Sequence, residues 1–480
     1  MMRIKRTAAI ILSLSIFFGC SKIETDPTPQ PDNPEQPTVK PEKPSWPEGE
    51  QGKSYIWNSD IIPEICVEIS QSNWNALLTY HDINRDLSPY VKCDIAFSRS
   101  NAADTVRASG MRIRDNIDGM RPEGSVNEAH SNTGAKWGLC NFELDFNHYD
   151  SDNSLRNVQG MLLRSCVNDP TFARERFCSY LLDRFGIWTV SRNRYCRLSI
   201  HVEGDQAPAY LGVYQMVESV DQQYLNDRRS EFGRSEGFLW ECSEGAFLKS
   251  GETGIGADNG KAEKRQYLLM NNQDKLATAK AQLNDFIKNL NTLKENEFQS
   301  WITSVMDVEL FLRTYAAITT TGMYDDYWNT GNNYFLFFNS YDPARYKVFF
   351  IPGNFEKSLG NNEIGSFQDP GVQSPYQWGK SSSPLISRIL NNKDFRQIYT
   401  NALYELTLPE AYLFNMEESR HVIKDLMNEA GRYTKNDTGL CMQPYDRTAQ
   451  WSTNKKYNLT EMNEYNFFKV RSEAIQNYLR

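Results

Sequence analysis

Residues 322–360, GMYDDYWNTGNNYFLFFNSYDPARYKVFFIPGNFEKSLG, constrain the fold more than any other part of the chain. Two runs rich in aromatic and β-branched residues, 334–338 and 346–351, flank a polar loop containing Asp342-Pro343, which is the pattern of a β-hairpin. In a hairpin the start of the first strand lies beside the end of the second. Asp325, Asp326, Asn332 and Asn333 must therefore converge with Asn354 and Glu356.

Acid and amide oxygens gathered at one hairpin end suit Mg²⁺, a hard cation that takes oxygen ligands and shares them with phosphates. An Asp ahead of a strand pair, an Asn following it and an acidic ligand beyond the second strand is also the order in which protein kinases assemble base and metal site. The plain alternative is a solvated hairpin end, because polar residues are common where strands stop.

Further blocks narrow the choice: GMRIRDN at 110–116, RPEG at 121–124, NDPTFARERF at 168–177, YLGVYQMVESVDQQYL at 210–225 and FFKVRSEAI at 467–475. With the hairpin segment, they make the chain resemble the spore coat protein CotH family, whose members are kinase-like. The similarity runs over about residues 54–480 and is closest to the lipoprotein branch of Bacteroides-like bacteria. The resemblance implies an α+β, kinase-like two-lobed fold, with a β-rich lobe over about 53–270 and a helical lobe over about 271–480. It also implies ATP and Mg²⁺ as cofactors. Asp326 is the expected catalytic residue, with Asp325 close behind. Asn332, Asn333, Asn354 and Glu356 are the expected metal ligands. Arg112, Arg114, Asn116, Glu175 and Glu218 are expected to bind cofactor, with Arg121 and Arg164 as further contacts for phosphate or acidic groups.

The chain departs from the family pattern in one direction. Asn354-Phe355-Glu356 stands where the family has Asp-x-Asp. Asp145 takes the place of a strand lysine, and Asp115 and Asp118 alter a glycine-containing loop. Glu241 follows Leu239-Trp240 where a lysine is expected. Carboxylates gained near phosphates repel them, and a carboxylate lost at 354 weakens a metal site. ATP and Mg²⁺ are thus expected to bind weakly or not at all, leaving a pseudokinase or binding module. An active atypical kinase acting on exported proteins is the alternative. A surface adhesin or glycan-associated module is a third reading, to be favoured by exposed coplanar Trp or Tyr rings.

The N-terminus speaks to location. Arg3, Lys5 and Arg6 precede an apolar run over 8–18, and Gly19-Cys20 closes it. This is a lipoprotein signal peptide over 1–19, with Cys20 as the acylated residue. The run is too short to span a bilayer as a helix. Residues 20–52 read as a tether: eight of the chain's 20 prolines fall between Pro27 and Pro47, among polar residues that have no core to join. The expected partners are a lipid bilayer, through acylated Cys20, and an unidentified exported or surface protein. The expected location is the cell envelope, as an outer-membrane or surface-exposed lipoprotein. A net charge of −9 without a basic run argues against nucleic acid. The five histidines lack metal-ligand spacing, and no two cysteines form a CxxC pair.

Alternation predicts strands over 61–70, 91–97, 105–114, 140–146, 197–202 and 210–216. Helical patterns cover 73–80 and 170–185, the latter with Pro170 in its first turn. They dominate from 274 onward, at 274–293, 296–305, 307–320, 383–391, 393–406, 416–431 and 460–479.

Overall fold

Period-two burial sets the first layer of the protein. The computed structural model describes residues 51–57, 61–84, 88–99, 102–114, 120–132, 136–258, 265–361, 369–411, 413–437, 443–446 and 456–480. The expected signal peptide, Cys20, the tether up to residue 50, and Asp115, Asn116 and Asp118 lie outside the described residues. Helix α1 (Gln51–Trp57) already belongs to the folded part, because Ile56 and Trp57 are buried in a core.

Strand β1 (Glu64–Ile69) turns Ile65, Val67 and Ile69 inward and Glu64 and Glu68 outward. Helix α2 (Gln71–Ile83) follows. Its Ser70 cap accepts from the Asn73 N–H, and Trp74, Leu77, Leu78 and His81 form its buried stripe. Strands β2 (Val91–Arg99), β3 (Ala102–Ile113), β4 (Phe142–Asp145) and β5 (Gly160–Ser165) come next. After helix α3 (Arg174–Arg184) the chain returns through β6 (Asn193–Val202) and β7 (Ala209–Glu218). These strands close into a barrel in the order β1-β2-β3-β4-β5-β7-β6. The closing pair, β1 with β6, is parallel, and the other neighbours run antiparallel.

Helices α4 (Gln222–Asp227) and α5 (Arg229–Phe232) lead to a second sheet. Its strands are β8 (Phe238–Cys242), β9 (Ile255–Ala257), β10 (Tyr267–Leu269), β11 (Tyr334–Phe338) and β12 (Val348–Pro352), in the order β12-β11-β8-β10-β9. The expected hairpin is present: Tyr334 lies opposite Pro352 and Phe338 opposite Val348. It does not stand alone, because β11 also pairs with β8, and so the sheet crosses the boundary expected near residue 270. Around it pack α6 (Leu276–Thr292), α7 (Glu295–Val305), α8 (Val308–Thr321), α9 (Pro384–Asn391), α10 (Lys393–Thr407), α11 (Met416–Gly431) and α12 (Phe467–Leu479). One hydrophobic core fills the barrel and reaches α1 and α2. The other joins α3, the second sheet and the C-terminal helices.

Both helices and sheets are present, as an α+β chain requires, and local differences have local causes. Helix α3 begins at Arg174 rather than at Pro170. The Asp169 carboxylate first accepts from Thr171 and then from the Arg174 N–H at 2.8 Å, so a side-chain turn holds residues 169–173 outside the helix. Helix α12 begins at Phe467 rather than at 460, with Asn466 as its cap, accepting from the Lys469 N–H. Short strands β5, β8, β9 and β10 were not anticipated. Their burial comes from neighbours distant in sequence, so their own alternation is too brief to announce them. No described helix is long and apolar enough to cross a membrane. Among the described residues, Cys66, Cys93, Cys140, Cys166, Cys178, Cys196 and Cys242 are free thiols.

Candidate functional site

A cleft of about 130 Å³ opens where the outward faces of β4, β5 and β7 meet the ends of β8, β11 and β12. Of the residues singled out from sequence, Arg114, Arg164, Glu175, Glu218, Glu241, Asn332, Asn333 and Asn354 line it. The lining carries five carboxyl groups (Glu143, Glu175, Glu218, Asp221, Glu241) and two guanidinium groups (Arg114, Arg164).

The arginines are engaged by these carboxylates. On the barrel, Arg112 lies opposite Glu143 across β3 and β4, with Arg112 Nη2 2.6 Å from Glu143 Oε2. Arg114, just past the end of β3, reaches across to β8 and sets Nη2 2.5 Å from both Glu241 oxygens. Arg164 on β5 donates to Glu175 of α3 at 2.6 Å. Arg164 and Glu175 thus form a strand-to-helix ion pair. The strand position expected to carry that cation, Asp145, is elsewhere. Alternation along β4 buries Phe142 and Leu144, and Asp145 emerges at the strand end, where it meets His148 Nδ1 at 3.3 Å. It is not among the residues lining the cleft; Glu143 is.

At the cleft floor Glu218 ends β7. Arg228 donates to it at 2.7 and 3.1 Å, and the Arg192 N–H donates at 3.1 Å. Burial works to raise the Glu218 carboxyl, but Arg228 and Arg192 outweigh it and hold it below the ordinary range. Asp221 caps α4 by accepting from the Tyr224 N–H at 2.9 Å, and burial pushes its carboxyl up to about 7.

At the hairpin end Asn332, Asn333 and Asn354 line the cleft, while Asp325, Asp326 and Glu356 do not. Asp326 is 1% exposed and is not among the residues lining the cleft. Its Oδ1 accepts from the Asn329 N–H at 2.9 Å and from Asn329 Nδ2 at 3.0 Å, and its carbonyl accepts from Thr330 and Gly331. Burial pushes this carboxyl up to about 7. The turn it caps closes at Gly331, whose φ of 65° and 2.8 Å clearance to Ala246 N for an added Cβ leave room for glycine alone.

Asp325 lies behind the cleft residues Asn332 and Asn333 and, like Asp326, is not among the residues lining the cleft. Its Oδ1 accepts from Thr330 Oγ1 at 2.7 Å and from Asn332 Nδ2 at 3.3 Å. Asn333 Nδ2 donates to its carbonyl at 2.8 Å, and Lys357 Nζ lies 3.4 Å from Oδ2. A carboxylate and a carbonyl only accept, so both asparagines present their NH₂ groups here. Asn354 has φ 49°, and its Oδ1 accepts from the Glu356 N–H at 3.3 Å. Glu356 is half-buried near Cys166 and is not among the residues lining the cleft. Asn116 and Cys20 lie outside the described residues.

This donor set departs from what a magnesium–nucleotide takes. Mg²⁺ is commonly held through one or two carboxylates as well as phosphates, whereas the hairpin-end side chains that line the cleft, Asn332, Asn333 and Asn354, bring no carboxylate, and Asp325 behind them already faces a lysine. No group of three or more His, Cys, Asp or Glu suited to a metal is found among the described residues. The cleft is also smaller than the ~300–1,000 Å³ usual for drug-sized ligands. Sequence reading missed Glu143, Lys357 and the arginines behind Glu218. The first two were within reach, since Glu143 shares a strand face with Asp145 and Lys357 directly follows Glu356.

The chain is also similar to known proteins. The family model described as CotH kinase protein matches residues 136–466, well over half of the chain. The chain is 26% identical over 211 residues to the inner spore coat protein H of Bacillus subtilis (strain 168). The aligned part covers 44% of this chain and 53% of that protein, so the chain spans about half the length of the curated relative it matches.

Proposed function

Because the chain belongs to the CotH kinase protein family, we propose that it is a kinase-like module whose cleft no longer binds magnesium–ATP productively, and that it acts as a pseudokinase or protein-binding module at the cell envelope. On this reading the barrel and the second sheet with its helices correspond to the two lobes of a kinase. The observation that carries it is the Arg114–Glu241 pair: a cation placed to meet phosphates is held at 2.5 Å by a carboxylate of the facing strand. An incoming phosphate must displace that carboxylate and then lie beside it. At an effective dielectric of about 20, a unit charge pair at about 4 Å is worth roughly 4 kcal/mol before desolvation.

Calorimetric titration of the full chain with ATP and Mg²⁺ is expected to show no binding tighter than about millimolar. The double change Glu241→Lys with Asn354→Asp should raise affinity by about tenfold or more. Micromolar binding by the unaltered chain, with phosphotransfer lost on Asp326→Ala, would replace this reading with the active-kinase one. A glycan-binding role finds less support. Among the described residues no tryptophan is exposed, and of the exposed tyrosines, Tyr149, Tyr404, Tyr445, Tyr465 and Tyr478, the first meets His148 edge-on.

Envelope anchoring through Cys20 belongs to the same proposal, supported by the basic, apolar and Gly-Cys order of residues 1–20. Cys20→Ala should abolish fatty-acid labelling and membrane fractionation. Undiminished labelling of that variant would refute the anchor.

A further inference from the structure

We infer that Lys357 takes the place of a divalent cation at Asp325, behind the cleft residues Asn332 and Asn333, so that a ligand in the cleft meets this hairpin end without a metal ion. The inference rests on the degenerate-site reading and deepens it. Backbone hydrogen bonds lace the two segments together: the Tyr324 N–H donates to the Lys357 carbonyl at 3.0 Å, Leu359 to Thr321 at 2.8 Å, and Gly353 to Asn333 at 3.0 Å. This lacing carries the Lys357 ammonium to 3.4 Å from Asp325 Oδ2, with the two side chains only 17% and 12% exposed.

An ionised carboxylate offers about four acceptor positions. Thr330 and Asn332 fill two on Oδ1, and Lys357 meets Oδ2. The amides that could have ligated a metal are turned as donors toward Asp325, and a bound metal would require both to present oxygen instead. Asn354, in place of an acid, brings no charge of its own. The single negative charge of Asp325 is thus already met by a covalently attached positive one. A lysine ammonium is a compact point charge and can stand where a metal ion stands in an active kinase, without entering from solution.

The test uses Mn²⁺ alone, followed by electron paramagnetic resonance and by the thermal midpoint of the full chain with and without EDTA. The unaltered protein should bind Mn²⁺ no tighter than about millimolar, with a midpoint indifferent to EDTA. Lys357→Met frees one Asp325 oxygen and should gain about tenfold or more in Mn²⁺ affinity. Adding Asp325→Asn should remove that gain, and Lys357→Arg should behave like the unaltered chain. Lys357→Gln serves as a second, more soluble probe if the methionine variant folds poorly. Micromolar Mn²⁺ binding by the unaltered chain overturns the inference, as does the absence of any gain in a folded Lys357 variant. These outcomes are separable from the proposal above. Micromolar ATP binding in EDTA would sink the weak-nucleotide reading and leave the lysine's role intact.

Discussion

Replacing Glu218 by alanine is expected to destabilise the folded chain by about 3–5 kcal/mol at pH 7, the range seen when one partner of a buried ion pair is removed. Glu218 is 7% exposed, and Arg228 and Arg192 are comparably buried. The carboxylate accepts two hydrogen bonds from Arg228 and one from the Arg192 backbone, while Arg192 Nη1 stands 3.6 Å away. Without it, two guanidinium groups remain under the cleft with their principal counter-charge gone. The loss should be largest for Glu218→Ala and smaller for Glu218→Gln, which keeps the volume and part of the hydrogen bonding.

The pH dependence follows from the direction of the shift. The folded state holds Glu218 below its ordinary value of 4.5, so its contribution is complete above about pH 4.5 and is lost as pH falls through the lower folded value. Urea denaturation should therefore show the widest gap between wild type and variant at pH 7, narrowing in acid. A variant within about 1 kcal/mol of wild type at pH 7 would mean that the arginines are hydrated and that the floor of the cleft is not sealed.

The second large effect is expected at Arg471, which α12 buries completely. Its Nε and Nη2 donate to the Thr319 carbonyl at 3.1 and 2.8 Å, its Nη1 donates to the Gln373 carbonyl, and its guanidinium lies 4.8 Å from the centre of the Trp378 ring. Thr319 belongs to the last turn of α8, where helix carbonyls lack partners within the helix and a cation is favoured. Four residues beyond the end of α8 comes Asp325, so Arg471 anchors the start of the loop that carries the candidate site. With no carboxylate bonded to it, burial brings its pKa down to about 10.

Arg471→Ala leaves the buried Gln373 carbonyl without this donor and the Thr319 carbonyl with the Gly322 N–H at 3.2 Å, at about 1–3 kcal/mol for an unmet group, and also opens a cavity. The expected loss is about 3 kcal/mol or more in chemical denaturation. Arg471→Lys should recover only part of it, since an ammonium lacks the planar fork that reaches both carbonyls. Full recovery by lysine would show that charge alone, and not geometry, is what α12 supplies.

Several features of this chain were readable because their cause is local. The hairpin of β11 and β12 follows from two short β-forming runs around Asp342-Pro343, and the C-terminal helices follow from their 3.6-residue periodicity, to within a few residues at most ends. The blocks around Arg112, Glu175, Glu218 and Arg471 identified the family without any knowledge of what those residues touch. The substitutions at 241 and 354 pointed in sequence to an altered charge balance, and both positions line the cleft.

What tertiary structure alone decided is which charge meets which. Alternation gives β4 two outward carboxylates, and only the packing of β8 against the barrel side makes Glu143, rather than Asp145, the one that lines the cleft. Asp325 and Asp326 are adjacent, and it takes the capped turn at 326–331 to give them different partners, Asn329 for the second and Thr330, Asn332 and Lys357 for the first. The barrel closes through a parallel pairing of β1 with β6, which no run of residues announces. Secondary structure answers to forces acting over a few residues. The Arg114–Glu241 pair joins positions 127 residues apart, and a charge pair of that kind exists only once two sheets have chosen their register.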